Sequence, residues 1–291
     1  MAVIFGMVLL AGFLAISVSK RKRHAADDDV QSGPQISAQH KNEIRRFWEV
    51  YRRATGFMRQ GAWQEAAADY RQALSIDPGH EDSLYYLGNV MFELNQYDDA
   101  VSMWRQLIEV NPLSTRAHIQ LGAVHSCGAQ GAPFDLEIAE REFQRAHSIN
   151  KEETGPVLKL GEVYLLKGQR EQALTYFATA MQTNAKSIEA QYLTGYLEWQ
   201  RGDRQAAQRA LQQAARLSQA KLSAAAPTRE GDTRTPGGGP ILTEGASRRS
   251  FFARHWMALK TWERAEVSVP MMEAEYKKLD QQLSLLIKDA E

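Results

Sequence analysis

A chain of 291 residues carrying 35 basic and 35 acidic side chains has no net charge, so it lacks the basic footprint by which proteins hold nucleic acid. One cysteine, Cys127, excludes both an internal disulfide and a multi-cysteine zinc site. The length allows one to two domains.

The first element is apolar. Residues 2–18, "AVIFGMVLLAGFLAISV", hold no charge, and as a helix they would span roughly 26 Å, just enough for a hydrocarbon core. The basic cluster Lys20-Arg21-Lys22-Arg23 follows this run, whereas a cleaved signal peptide carries its basic residues in front. The expectation is an uncleaved single-pass anchor over 1–19 in a lipid bilayer, with the bulk of the chain on the cytoplasmic side. Residues 20–43, with Asp27-Asp28-Asp29 and Gly33-Pro34, read as a basic flank and polar tether.

A repeat follows. "GAWQEAAADYRQALSIDP" (Gly61 to Pro78) lies 34 residues before "NQYDDAVSMWRQLIEVNP" (Asn95 to Pro112). In that register Trp63 meets Tyr97, Ala66 meets Ala100, Tyr70 meets Trp104, and Pro78 meets Pro112. Self-similarity at this period signals stacked helix pairs, each unit burying an apolar face against its neighbour. Further units carry Leu121-Gly122, Ala139, Phe143 and Ala146, then Leu160-Gly161, Tyr164, Gly168, Ala173, Phe177 and Ala180, then Gly195, Gly202, Ala207 and Leu211. On these residues the chain resembles the tetratricopeptide repeat (TPR) family. The resemblance implies an all-α, right-handed solenoid over 44–222 with five units: 47–80, 81–114, 115–153, 154–187 and 188–221. The third is lengthened by "CGAQGAP" (Cys127 to Pro133). Small residues at Ala54, Gly88, Gly122, Gly161 and Gly195 are expected to let the two helices of a unit approach.

Residues 223–247 include "TPGGGP" and read as a flexible linker. Residues 248–291 then return to an apolar pattern: Phe251, Phe252, Trp256 and Trp262, and after Pro270 a helix with Tyr276, Leu279 and Leu283 on one seam. These helices have four expected uses: capping the stack, covering its groove, pairing with a second copy as a coiled coil, or docking to another protein.

No phosphate loop, nucleophile elbow or His-Glu-x-x-His is present, and no catalytic residue, metal site or cofactor is assigned. His118 and His125 are seven apart on one helix, but His125 stands where an aromatic packs. Asp98 and Asp99 begin a helix, where they favour its dipole.

The resemblance also implies a groove lined by the first helix of each unit. Carried over by position, it includes Trp48, Tyr51, Tyr85, Asn89, Phe92, Ile119, Leu158, Glu162, Leu165, Tyr192, Tyr196 and Trp199, candidate anchors for a protein or peptide client. The family's clamp for acidic chaperone termini needs lysines, asparagines and an arginine. The matching positions are Tyr51, Thr55, Tyr86, Arg116 and Gln120, or one unit later Tyr85, Asn89, Gln120, Gly155 and Lys159. Neither set is a clamp. The expected function is a non-enzymatic, membrane-anchored scaffold similar to bacterial anchored TPR proteins of envelope biogenesis, although the four-cysteine module of one such group is missing. The alternatives are a permanent subunit docked by its C-terminal helices and a periplasmic assembly chaperone.

Overall fold

The computed structural model describes residues 37–225, 251–262 and 266–290. The chain forms two compact units, residues 1–46 and 47–291. The expected anchor lies outside the described residues, and no described helix is long and apolar enough to cross a membrane. α1 (Ala38–Gln60) already begins at Ala38, inside the stretch expected as tether, whose residues 20–36 lie outside the described residues. Ser37 Oγ accepts from His40 N at 3.1 Å, a cap that starts a helix ahead of the repeat boundary.

From Phe47 onward the helices pair as the repeat predicts. After α1 come α2 (Trp63–Ile76), α3 (Glu81–Glu93), α4 (Tyr97–Val110), α5 (Thr115–His125), α6 (Leu136–Ile149), α7 (Thr154–Leu166), α8 (Arg170–Thr183), α9 (Ile188–Gln200) and α10 (Arg204–Ala225). All regular elements among the described residues are helical. The second, third and fourth units bury a ring of the second helix against a glycine of the first. A Cβ built on Gly122 would lie 2.7 Å from the Phe143 ring, and Gly88 and Gly161 are closed in the same way by Trp104 and Phe177. Those three rings and Tyr70 are fully buried. A buried aromatic of this kind stabilises by roughly 1.5–3 kcal/mol.

The turn inside a unit also recurs. Gly61, Asn95, Gly168 and Gly202, each the fifteenth residue of its unit, have φ of 74°, 59°, 72° and 88°. Such left-handed backbone suits glycine or asparagine. The third unit replaces this turn by its longer loop. His125 is buried there, with Nδ1 2.6 Å from the Pro133 carbonyl oxygen, so it pins the loop. Asp135 accepts from Glu137 N and Ile138 N and caps α6.

α10 continues to Ala225, three residues past its expected end at 222, because Ser223-Ala224-Ala225 keeps helical character until Pro227 approaches. The rest of the expected linker lies outside the described residues. The C-terminal segment then forms α11 (Ala253–Ala258), a 3-10 turn at Leu259–Thr261 and α12 (Val269–Ala290). Phe251, Phe252, Leu259, Val267, Met272, Tyr276, Leu279 and Leu283 share one buried cluster with Tyr192, Tyr196 and Leu211, and Trp256 and Trp262 pack at its edge. The apolar seam of α12 is therefore buried within the chain.

Candidate functional site

The first helices α1, α3, α5, α7 and α9 carry the predicted groove residues, and these meet across units. At the start of the row the face is aromatic and open. Trp48 is 45% exposed, and its ring stands edge-on to Phe47, Tyr51 and His80. Tyr51 is partly buried, and burial, reinforced by the Asp82 carboxylate, pushes its phenol up to about 12. Next along the row, Tyr85 is almost fully covered. Gln120 Nε2 donates to its hydroxyl at 3.1 Å, and the Arg116 guanidinium sits 4.8 Å from its ring centroid. Arg116 is held in turn by Asp82, 2.5 Å away. Asn89 is buried with neither amide atom hydrogen-bonded, and Gln120 Oε1 is likewise unpaired.

Two expected groove residues are interior instead. Phe92 is 1% exposed and packs on Tyr97 and Trp104, and Leu165 is 2% exposed inside the cluster shared with the C-terminal segment. Both are the twelfth residue of their unit, whereas Trp199, the twelfth of the fifth unit, reaches α12 from the face. Ile119 and Leu158 remain partly buried.

In the middle of the row three charges are buried together. Lys159 Nζ donates to both Glu162 oxygens, at 2.9 and 2.8 Å, and to Glu189 Oε1 at 3.2 Å. Burial alone would weaken the Lys159 ammonium, but the two carboxylates more than reverse this and hold it charged. The carboxylates are forced apart. Burial, with the neighbouring Glu189 charge, pushes Glu162 well above the usual carboxylate range. Glu189 feels the same burial, yet Lys159 and the hydrogen bond from Glu162 bring it below that range. Protons therefore go to Glu162 first, leaving an ion pair between Lys159 and Glu189. A lysine satisfied in this way is not free to grip a client carboxylate.

At the far end the groove face is occupied. Tyr192 and Tyr196 are fully buried, and their hydroxyls donate to Glu275 Oε1 at 2.6 Å and Asp280 Oδ1 at 2.7 Å of α12. Trp199 Nε1 donates to Glu273 Oε2 at 3.0 Å, and Gln200 Nε2 donates to Asp280 Oδ1 at 2.8 Å. Arg204 Nε lies 2.9 Å from Glu273 Oε1. Further on, Leu286 packs over Gly128 in the long loop of the third unit, where a Cβ would lie 2.6 Å from Leu286 Cδ1. α12 thus reaches from the fifth unit to the third across the first-helix face.

Several of these residues were not singled out from sequence: Glu189, Gln200 and Arg204 on the repeats, and Glu273, Glu275 and Asp280 on α12. Glu189 and Gln200 stand second and thirteenth in their unit, and the resemblance assigns the second, fifth, ninth, twelfth and thirteenth residues to the groove, so both could have been found. The carboxylates of α12 offered no signal, because nothing in the sequence says where that helix docks. His118 Nδ1 lies 2.7 Å from Glu142 Oε2, and no group of metal-ligating side chains occurs among the described residues.

Among the described residues, five helix pairs stacked in one register, with aromatic residues on the first-helix face, define a helical repeat fold. The repeat is of the tetratricopeptide kind: residues 57–122 match the tetratricopeptide repeat family's model. Among solved structures, a crystal structure of MamA is 19% identical with a TM-score of 0.51, covering 64% of this chain and 98% of its own. MamA from Desulfovibrio magneticus RS-1 is 15% identical with a TM-score of 0.50, covering 61% and 96%. Pseudomonas aeruginosa PilF is 15% identical with a TM-score of 0.51, covering 83% and 99%. At these identities the likeness is one of fold. No curated protein matches the sequence.

Proposed function

We propose that this chain is a non-enzymatic scaffold that binds a protein client on the face of α1 and α3, where Trp48 of α1 is the exposed anchor. One observation carries the reading. Trp48 is a large apolar side chain left 45% exposed on the first-helix face, while the same face is covered by the chain's own helix at the other end. An exposed ring at Trp48 with Tyr51 edge-on to it, and further along the row the buried, unpaired amide of Asn89 on α3, suit a peptide or helix that brings both apolar surface and polar groups. Residues 2–18 would hold this scaffold at a membrane, with the repeats on the side of the basic cluster at 20–23.

The test is affinity purification of the full-length, detergent-solubilised protein followed by mass spectrometry, comparing wild type with Trp48→Ala. The substitution should remove a captured client and leave the melting temperature unchanged, since Trp48 supports little of the core. Capture of the same proteins by both forms would refute the assignment of this face. A reporter fused after Glu291 that is active only in the periplasm would overturn the topology.

The permanent-subunit reading is weaker, since it needs Tyr276, Leu279 and Leu283 for another protein and these residues are buried within the chain.

A further inference from the structure

The surface that receives α12 is chemically one-sided. The side chains that meet its carboxylates all act there as donors: the Tyr192 and Tyr196 hydroxyls, Trp199 Nε1, Gln200 Nε2 and Arg204 Nε. Each meets a carboxylate of α12, either Glu273, Glu275 or Asp280. Between these acids the Tyr276 ring enters the notch at Gly195, and Leu279 and Leu283 continue the buried seam. A row of donors around an aromatic notch reads a pattern, Glu-x-Glu-Tyr-x-x-Leu-Asp-x-x-Leu, which is the sequence from Glu273 to Leu283. A helix docked across the first-helix face by an apolar seam and charged flanks is a helix-in-groove complex made within one chain.

We propose that the face of α9, extended toward α7, is a binding site for acidic amphipathic helices, and that α12 is its resident, exchangeable occupant. A partner helix bearing this pattern enters by displacing α12. The site is separate from the face of α1 and α3, and it stands whether or not that face binds a client. Because α12 is tethered, a competitor faces an effective concentration on the order of millimolar, so the closed chain resists weak ligands and admits a well-matched one. Charge gives the selectivity. A basic helix would bring ammonium groups to the positions where these five side chains donate and would leave those donors unpaired.

The test uses the full chain and a fluorescent peptide of residues 266–291. In one arm a protease site placed at 236–240 is cut, so that the segment from 251 onward is held by contacts alone. The peptide should exchange into the nicked protein saturably. It should bind the uncut protein at least about tenfold more weakly, as tethering requires. A peptide carrying Glu273→Lys, Glu275→Lys and Asp280→Lys should bind neither form. In a second arm, full-length protein with Glu275→Lys and Asp280→Lys, changes confined to the tail, should take up the wild-type peptide more tightly than the unmodified chain. Trp48→Ala should leave all of these affinities unchanged, which keeps this result distinct from loss of a client at the other face. Failure of the peptide to exchange, or equal binding of the charge-reversed peptide, would overturn the proposal and make α12 a fixed cap. A nicked protein that unfolds would do the same.

Discussion

The Tyr276 hydroxyl fills the notch at Gly195, where the preceding units place a ring from their own second helix. In those units Trp104, Phe143 and Phe177 close Gly88, Gly122 and Gly161. The fifth unit carries Leu211 at the matching position, so its missing aromatic is supplied by a helix more than sixty residues downstream. The same hydroxyl donates to the Tyr192 carbonyl oxygen at 3.2 Å, which ties α12 to the backbone of α9.

Gly195→Ala should therefore loosen the tail. The new methyl would run into Tyr276 Oη and lie 3.1 Å from both Ala207 O and Ala210 Cβ. Overpacking of this kind costs about 1–3 kcal/mol. In a Tyr276→Phe background the hydroxyl is gone, and part of that cost should vanish, with a coupling on the order of 1 kcal/mol. Denaturant unfolding of the four proteins measures it. Strictly additive losses would mean that Ala207 and Ala210 alone set the strain and that Tyr276 does not occupy the notch.

The buried charges make a second, asymmetric prediction. Lys159→Met leaves Glu162 and Glu189 facing each other without a cation, and breaking a buried pair this way costs about 3–5 kcal/mol. Glu162→Gln should be nearly neutral, because burial already drives that carboxyl toward its uncharged form and an amide still accepts from Lys159. Urea denaturation of both variants tests this. Comparable losses would show that Glu162 is needed as a carboxylate.

The repeats were legible because their signals are local and recur: Tyr70, Trp104 and Phe143 in one register, and the turn at Gly61, Asn95, Gly168 and Gly202. Trp48 and Tyr51 were legible as face residues by the same rule. It did not anticipate the burial of Phe92 and Leu165, since Tyr97 and Trp104 pack on the one and the cluster shared with the C-terminal segment takes in the other. Tyr192, Tyr196 and Trp199 were placed on the correct helix, but their occupant was left open. The donors on α9 and the acids on α12 are about eighty residues apart, and no periodicity connects them. One clue was present: Leu211 breaks the aromatic register, and Tyr276 lies in an apolar seam that needs a partner.

Acid should release the tail. Burial raises the Glu275 carboxyl, but the hydrogen bonds to His255 and Tyr192 and the nearby charges of His255 and Lys278 outweigh it and hold the group below its ordinary 4.5. Glu273 is lowered as well, by Trp199 and Arg204, with Lys277 adding to it. A carboxyl depressed in the docked state stabilises docking fully above its free value and loses that contribution as pH falls through the docked value. Protection of residues 251–291 from protease should thus be constant from about pH 6 to 8 and fall below about 4.5. Glu275→Gln should be weaker at neutral pH and show a flatter acid response. A wild-type tail that stays protected down to the acid unfolding of the repeats would contradict this.

Two glycines separate backbone conformation from packing. A Cβ on either Gly56 or Gly168 meets nothing within 4 Å, so neither substitution causes a clash. Gly56 lies inside α1, where alanine loses less chain entropy on folding, and Gly56→Ala should stabilise by about 0.5–1 kcal/mol. Gly168 has φ of 72° in the turn between α7 and α8, and a side chain there costs about 1–2 kcal/mol. Thermal unfolding should move the two variants in opposite directions from wild type. A shift of the same sign for both would mean that the left-handed turn is not maintained at Gly168, and with it would fall the account of why Asn95 stands at the equivalent place in the second unit.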